Sequence, residues 1–217
     1  MINSEINILG NHVYTRALDL NIKQQKQNAY VMETFIKKNF IPLDKNEDLT
    51  PTNKSLISKA WSFNNFYNYN YLLYPLKGMP NLYNKIKETF YMCLQESKYD
   101  EYSIQCWLNV YRRGNFIDWH AHWPEKWDAW HGFYCVDVEP DSYTMYRLKD
   151  KRIPEDDIKV DSKNNLLVLS KSGYDIHRSS EWDQDYPRIT VAFDIIPTYN
   201  LHITKRTFEL KNHWIPL

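Results

Sequence analysis

The sequence predicts an α+β protein in which a helical N-terminal part supports an all-β core. Helix-like spacing of apolar residues occurs only within the first hundred residues, whereas short apolar runs broken by Pro, Gly, Asp and Asn follow one another afterwards. Short strands at close spacing, without helices between them, are typical of an antiparallel sandwich or barrel. We therefore expect a single domain over residues 1–217, with helical and irregular support in 1–99, a double-stranded core of β-strands in 100–197 and a C-terminal extension in 198–217.

Two segments of the N-terminal part predict helices. Residues 22–38 carry a modest apolar face, and residues 79–97 repeat apolar side chains at nearly every third or fourth position. Pro80 suits the first turn of the second helix, because its missing N–H would have no helical partner there. The aromatic and Asn-rich residues 61–75 predict loop and strand.

The core is predicted from six strand-like runs of apolar, β-branched and aromatic residues. They cover residues 102–113, 115–123, 129–140, 142–148, 164–171 and 188–197.

Composition excludes some classes of function. The chain has 217 residues, enough for one real core, with 43% hydrophobic and 25% charged residues, as in ordinary globular proteins. Its formal net charge is zero and like charges form no long block. Because a duplex-binding surface needs many Lys and Arg contacts to phosphates, these values argue against a nucleic-acid partner.

The three cysteines and the hydropathy pattern bear on the compartment. Cys93, Cys106 and Cys135 are widely spaced and odd in number, so they predict neither a disulfide framework nor a CxxC metal site. They are expected to be buried thiols in a reducing compartment. The sequence has no leader-like start and no apolar run of about 18 residues, so we expect a cytoplasmic protein without a membrane partner.

An unusual cluster lies at residues 119–132, which hold three of the seven histidines and four of the eight tryptophans. In a strand, residues two apart point to the same face, so His120 and His122 are expected to project side by side, with Asp118 on that face too. Two such imidazoles can bind one ion of Fe, Zn, Cu or Ni. The distal candidate for a third ligand is His177, which follows an apolar strand and a Gly turn.

A cation follows eleven residues after His177. Arg188 opens the last apolar strand, and Thr190 shares its face. An Arg at the start of a buried strand is costly unless it meets an anion. Its planar fork suits a carboxylate held at two points, and a neighbouring hydroxyl can add a third bond.

In this order the segments resemble the Fe(II)/2-oxoglutarate-dependent oxygenases with a double-stranded β-helix core. Those enzymes combine His-x-Asp/Glu, a distal His, and an Arg followed two places on by Ser or Thr. The chain is also similar to a group of such oxygenases, many from phages and marine bacteria, with a W-x-N-x-x-x-x-G run, an H-x-H motif and a Gly-aromatic-Tyr strand. Here these read WLNVYRRG, HAH and HGFYCV, and the resemblance covers about residues 100–197.

The resemblance implies a jelly-roll or cupin-like double-stranded β-helix and a dioxygenase, usually a hydroxylase, that uses Fe(II), 2-oxoglutarate and O2. It implies that His120 and His177 bind the metal and that Arg188 and Thr190 bind the far carboxylate of 2-oxoglutarate. The substrate, a peptide or a small molecule, is not predicted. An aromatic-lined, water-poor pocket would suit such chemistry, and the tryptophans of the cluster are candidates for its wall: Trp119, Trp123, Trp127 and Trp130.

The chain departs from the family pattern where His122 stands in place of the carboxylate. Three alternatives follow: all-histidine ligation by His120, His122 and His177, a water in the third position, or a nearby carboxylate. For the last alternative, Asp118 is the best candidate, ahead of Glu125 and Asp128. A neutral ligand set would leave the site one charge more positive.

Three further residues are candidates for the cosubstrate pocket. Asn109 and Tyr111 alternate on the first core strand, so they share a face and can hydrogen-bond 2-oxoglutarate. His131 lies on the strand after the cluster, where it can contact cosubstrate or substrate, or be a satisfied histidine of the pocket wall.

Other classes of function compete with the oxygenase. A cupin-like metal-binding protein or dioxygenase that does not use 2-oxoglutarate suits three histidines better, but Arg188 with Thr190 argues against it. A zinc hydrolase is disfavoured because HAHWPE does not continue to an Asp-His pair. A non-catalytic protein with a decayed site is disfavoured by the intact His120, His177 and Arg188.

Overall fold

The computed structural model describes residues 5–10, 12–39, 68–94, 97, 99–148, 157–203 and 213–217, and every structural statement below refers to these. They form two antiparallel sheets and three helices. The helices are α1 (Ile22–Asn39), α2 (Met79–Cys93) and α3 (Thr198–Ile203). The strands are β1 (Asn7–Leu9), β2 (Val13–Ala17), β3 (Tyr102–Tyr111), β4 (Trp130–Asp137), β5 (Tyr143–Leu148), β6 (Ile158–Asp161), β7 (Leu166–Lys171), β8 (Asp175–Ser179), β9 (Arg188–Pro197) and β10 (Ile215–Pro216).

The larger sheet has seven strands in the order β1-β2-β7-β4-β9-β3-β10. Its spine is the antiparallel pair of β3 and β9, ten residues each, which run from the pair Tyr102–Pro197 to the pair Tyr111–Arg188. Both strands are buried along their whole length. A strand covered on both faces needs apolar or satisfied side chains at every position, which explains why both segments are almost continuously apolar.

The two faces of this sheet carry different side chains because strand residues alternate. One face packs on α1 and α2 in the main core, where Leu108 and Val191 meet Met32 and Phe90. The other face lines an internal pocket and carries polar side chains. Successive residues of these strands therefore point alternately into the hydrophobic core and into the polar pocket.

The smaller sheet has three strands in the order β6-β5-β8. An isolated antiparallel bridge between His120 and His177 adds the segment after β3 to the edge of β8. Along the chain, the connections pass back and forth between the two sheets. Strands β4 and β7 of the larger sheet are each followed by a strand of the smaller sheet, β5 and β8 respectively. This arrangement is the jelly roll, or double-stranded β-helix, and it confirms the predicted fold class.

Most of the predicted elements are found, with α2 ending at Cys93 rather than at residue 97. Three expectations are wrong. The N-terminal part is not only helical and irregular, because β1 and β2 extend the larger sheet beside β7. Residues 115–123 form no strand, only single bridges at Ile117 and His120. Within the described part of 61–75, the chain forms a 3-10 turn at Tyr71–Leu73 rather than a strand.

Two further observations concern the cysteines and the length of the apolar helices. Cys93, Cys106 and Cys135 are buried free thiols, as predicted. Among the described residues, no helix is both long and apolar enough to cross a membrane.

Candidate metal centre

Backbone hydrogen bonds place the first two histidines opposite each other. The His120 N–H donates to the carbonyl of His177 and the His177 N–H donates to the carbonyl of His120, both at 3.0 Å. The ring centroids of the two imidazoles are 4.2 Å apart. Their relative position therefore follows from the strand-like bridge and not from side-chain packing alone.

His122 completes a group of three imidazoles. Its ring centroid lies 5.3 Å from that of His120 and 5.2 Å from that of His177. One nitrogen atom from each ring lies within 4.8 Å of the others. The residues from 117 to 122 are irregular rather than strand, so the prediction that alternation brings His120 and His122 together has the right outcome through a different local structure.

In two of the three rings, the other nitrogen has a hydrogen-bond partner. His120 Nδ1 lies 2.7 Å from the carbonyl oxygen of Asp118, and His122 Nδ1 lies 2.6 Å from Oδ1 of Asp194. Each Nδ1 that donates such a bond leaves Nε2 as the lone-pair donor, the usual arrangement of metal-binding histidines. His177 Nδ1 lies 3.5 Å from Oδ1 of Asp175, but it has no hydrogen-bond partner among the described residues.

The electrostatics keep two of the three imidazoles neutral. Burial, together with the neighbouring rings of His177 and His122, holds the pKa of His120 well below its usual value. Burial and the nearby His131 lower the pKa of His177 to about 3. A neutral imidazole is the form that binds a metal ion, so these two ligands need not lose a proton at neutral pH.

His122 differs because a carboxylate accompanies it. Burial alone would lower the pKa of His122, but the carboxylate of Asp194 raises it overall. Asp194 is 7% exposed, and its second oxygen accepts a hydrogen bond of 2.9 Å from the indole Nε1 of Trp123.

A second group lies beside the first and shares His177. His131 Nε2 is 3.2 Å from Oδ1 of Asp175, and Ser170 Oγ donates to the other oxygen of the same carboxylate. Asp175 is 1% exposed. Burial would raise the pKa of Asp175, but His131 and His177 hold it well below its usual range. The ring of His131 stacks on that of His177 at 4.5 Å, with 8° between the planes.

Arg188 lies in the same pocket as the histidines and is almost fully buried, at 1% exposure. Its guanidinium sits 4.7 Å over the ring of Tyr111. Nη1 donates to the carbonyl and the hydroxyl of Ser180, both at 3.3 Å, whereas Nε has no hydrogen-bond partner among the described residues. A buried cation with an unused donor is suited to an anionic ligand.

Two neighbouring polar groups share this pocket. The Oδ1 atom of Asn109 is buried and has no hydrogen-bond partner in the described part of the chain. Thr190 faces Asn109 across β3 and β9 and also lines the pocket.

All eight residues that the sequence predicts for the site line this one pocket: Asn109, Tyr111, His120, His122, His131, His177, Arg188 and Thr190. The carboxylates offered as alternatives lie elsewhere. The Asp118 side chain is exposed and accepts from the backbone N–H of Trp119, Glu125 is exposed, and Asp128 pairs with Lys171.

The aromatic wall differs from the one expected. Among the pocket residues the large aromatics are Trp107, Tyr111 and Phe133, and the tryptophans of the cluster are absent. Trp119 instead contacts the guanidiniums of Arg147 and Arg178, which lie 4.5 and 5.0 Å from the centre of its ring. Trp123 stacks on Trp127, and Trp130 belongs to the main core. Core packing and surface stacking therefore explain these four tryptophans.

Two buried carboxylates of the site were missed from the sequence. Asp175 precedes His177 by two residues on β8, and Asp194 follows Thr190 by four residues on β9. Both alternate in phase with a predicted site residue, and Asp194 interrupts an otherwise apolar strand. The sequence could therefore have indicated both carboxylates, because each lies an even number of residues from a predicted site residue on the same strand.

Comparisons with known proteins agree on the fold. No family model matches the sequence, and no curated protein matches it. Among solved structures, AviO1 from Streptomyces viridochromogenes Tue57 aligns with a TM-score of 0.55 and 10% identity, over 86% of this chain and 90% of that one. A Pseudomonas putida prolyl-4-hydroxylase aligns with a TM-score of 0.51 and 12% identity, over 87% and 94%. A non-heme monooxygenase, the ThoJ-Ni complex, aligns with a TM-score of 0.51 and 11% identity, over 83% and 71%.

Proposed function

We propose that this protein is an Fe(II)- and 2-oxoglutarate-dependent oxygenase that hydroxylates a peptide or a small molecule. The observation that carries the proposal is the pairing, in one buried pocket, of three clustered imidazoles with an Arg that has an unused donor. The fold shared with a prolyl-4-hydroxylase and a non-heme monooxygenase supports it.

The donor set fits a divalent transition metal. His120, His122 and His177 would hold the ion, because their free nitrogens converge and borderline metals prefer imidazole. When bound, Fe(II) would supply oxidative chemistry in which 2-oxoglutarate is decarboxylated to succinate and the substrate is hydroxylated. With only these three residues as protein ligands, the ion would remain accessible to cosubstrate and oxygen.

The remaining pocket residues would bind and orient the cosubstrate. Arg188 would pair with its distal carboxylate, with Thr190 adding a hydrogen bond. Asn109 and Tyr111 would hydrogen-bond its other end or its chain, and His131 would form the wall beside the metal ligands. Trp107 and Phe133 would exclude water from this space, since both line it.

The proposal also covers the domain organisation of the chain, the group of oxygenases to which it belongs and its cellular compartment. We propose that the chain is a single domain, because β1, β2 and β10 join the same sheet as the core strands. The chain would belong to the H-x-H group that it resembles. It would act in the cytoplasm, where three buried free thiols stay reduced.

The test uses Arg188. Under anaerobic conditions, wild-type protein with Fe(II) should gain a visible charge-transfer band on adding 2-oxoglutarate. Arg188→Ala should bind Fe(II) normally but lose affinity for 2-oxoglutarate by roughly 30- to several-thousand-fold, since removing one partner of a buried charge pair costs about 2–5 kcal/mol. Arg188→Lys should recover only part, because a point charge cannot replace the fork.

Arg178→Ala is the matched control. Arg178 is an exposed Arg on β8 that stacks on Trp119 and does not line the pocket, so its loss should leave 2-oxoglutarate affinity unchanged. Equal affinity in wild type and Arg188→Ala would remove 2-oxoglutarate from the assignment.

A cupin-like metal protein that does not use 2-oxoglutarate is the second candidate. The observation that favours it is the ligand group itself, in which three histidines converge without a carboxylate among the donors. The same titration distinguishes the two, because this candidate predicts metal binding in the wild type but no 2-oxoglutarate band.

A further inference from the structure

A buried carboxylate lies directly behind one of the proposed ligands. Asp194 is on β9, with Oδ1 at 2.6 Å from Nδ1 of His122 and Oδ2 accepting from Nε1 of Trp123 at 2.9 Å. Among the described residues, its ion-pair partner is His122, and no Lys or Arg side chain reaches it. A buried carboxylate without a cation is costly, so its retention here needs an explanation.

Asp194 does not belong to the group of candidate ligand atoms that the three histidines form. Both of its oxygens are already engaged, one by the imidazole and one by the indole. The bond to Nδ1 fixes the tautomer of His122, because a donating Nδ1–H leaves the lone pair on Nε2. A carboxylate in this position also makes the imidazole a stronger ligand.

We propose that Asp194 gives this centre, through His122, the negative charge that a coordinating carboxylate gives in the His-x-Asp pattern. This inference rests on the proposed metal centre. His122 then acts together with Asp194 as one ligand unit, and Trp123 holds the carboxylate in its orientation. The all-histidine donor set therefore does not leave the site one charge more positive; the charge lies one residue further from the ion.

The inference predicts that the negative charge can be moved from residue 194 to residue 122 while metal binding is kept. In the double variant His122→Asp/Asp194→Asn, the carboxylate moves from β9 to the coordinating position and the total charge is kept. In the single variant His122→Asp, the new carboxylate at position 122 and the carboxylate of Asp194 would lie close together near the ion. Like charges at such short separation in a buried site are unfavourable, so the single variant should bind metal less well than the double variant.

The experiment measures affinity for Co(II) alone, by competition with a chelating dye, together with the visible absorption spectrum of the bound Co(II). Asp194→Asn should weaken binding about 10–100-fold, the usual effect of losing a hydrogen-bonding partner of a metal ligand. The double variant should recover most of this loss, and its Co(II) spectrum should differ from that of wild type because an oxygen replaces a nitrogen donor.

Glu33→Gln is the matched control for neutralising a buried carboxylate. Glu33 is 5% exposed and pairs with Arg112 and Lys37, away from the pocket. It should leave Co(II) affinity unchanged. If Asp194→Asn does not fold, as judged by circular dichroism of the metal-free protein, Trp123→Phe replaces it, because this change removes the indole N–H that donates to Asp194 and should also weaken Co(II) binding.

Wild-type affinity in Asp194→Asn would overturn the inference, as would a double variant that binds no better than His122→Asp. Both results leave the proposed metal centre in place. Failure of the centre itself has another signature, in which wild-type protein does not bind Co(II) or His177→Ala binds it equally well.

Discussion

The surroundings of individual side chains favour His122 over Asp118 as the proposed third ligand. His122 is largely buried with one ring nitrogen near those of His120 and His177, whereas the Asp118 side chain is exposed and bonds the backbone of Trp119. We expect His122→Ala to lose metal affinity about as severely as His120→Ala, and Asp118→Ala to keep it. Calorimetric titration with Co(II) measures both. The opposite ranking would make Asp118 the ligand.

Asp175 has no assigned part in the proposed chemistry, although its carboxylate lies in a second group of possible ligand atoms with His131 and His177, and its contacts predict a structural role. Its carboxylate is 1% exposed and contacts Ser170, His131 and His177, so its removal leaves several buried polar groups without their partner. We expect Asp175→Ala to lower the free energy of unfolding by about 3 kcal/mol, as for the loss of one member of a buried pair. Urea unfolding of the metal-free protein measures this.

Asp161→Ala provides the comparison for that experiment. Asp161 pairs with Lys159 at the surface, where its side chain is 67% exposed. Removing it should change stability by less than about 1 kcal/mol. Similar losses in the two variants would contradict a special role for the burial of Asp175.

At the scale of elements, α2 covers the outer face of the larger sheet. Phe90 is fully buried and packs edge-to-face on Tyr102 at 4.8 Å and on Trp130 at 5.7 Å. Phe90→Ala should cost about 3–5 kcal/mol, because it leaves a cavity between helix and sheet. Thermal unfolding followed by circular dichroism measures the loss. Met92→Ala, at a position 56% exposed on the same helix, should have little effect.

Gly132 allows β4 to lie close to its neighbours. A Cβ atom at this position would be 2.3 Å from the carbonyl oxygen of Val168 and 2.6 Å from the ring of Phe193. Because backbone and a buried ring cannot both move aside, Gly132→Ala should destabilise the protein by about 1–3 kcal/mol. It should also disturb the adjacent His131, which NMR of the histidine ring protons can detect. An unchanged melting temperature would contradict this.

At the scale of the whole molecule, the candidate metal centre joins the two sheets. His177 comes from the smaller sheet, and Asp194, which bonds His122, comes from the larger one. An ion bound only by the folded state stabilises it by about 2.7 kcal/mol when its free concentration is 100 times its Kd. We expect the melting temperature to rise with Co(II) and to fall again on adding excess chelator. His177→Ala should show no such shift.

Much of this architecture could be predicted from the sequence, because it depends on local patterns. The long apolar runs of β3 and β9, the helical spacing of α2, and the order of HxH, His and Arg-x-Thr are all visible in single segments. The joining of β1 and β2 to β7 was not predictable, since short strands acquire their role from distant partners. The same holds for Asp194, whose hydrogen-bond partner is a histidine 72 residues away.

The reciprocal backbone bonds between His120 and His177 have a consequence for how such a protein can change over time. Main-chain atoms set the relative position of these two histidines, so the side chains of their neighbours are under little demand from the metal centre. Trp119 and Arg178, next in sequence to the two histidines, stack on each other outside the pocket. Positions such as those of Trp119 and Arg178 can therefore be substituted, and the surface outside the pocket can change, while the candidate metal centre is kept. A lineage could thus alter what the protein recognises without rebuilding the candidate metal centre.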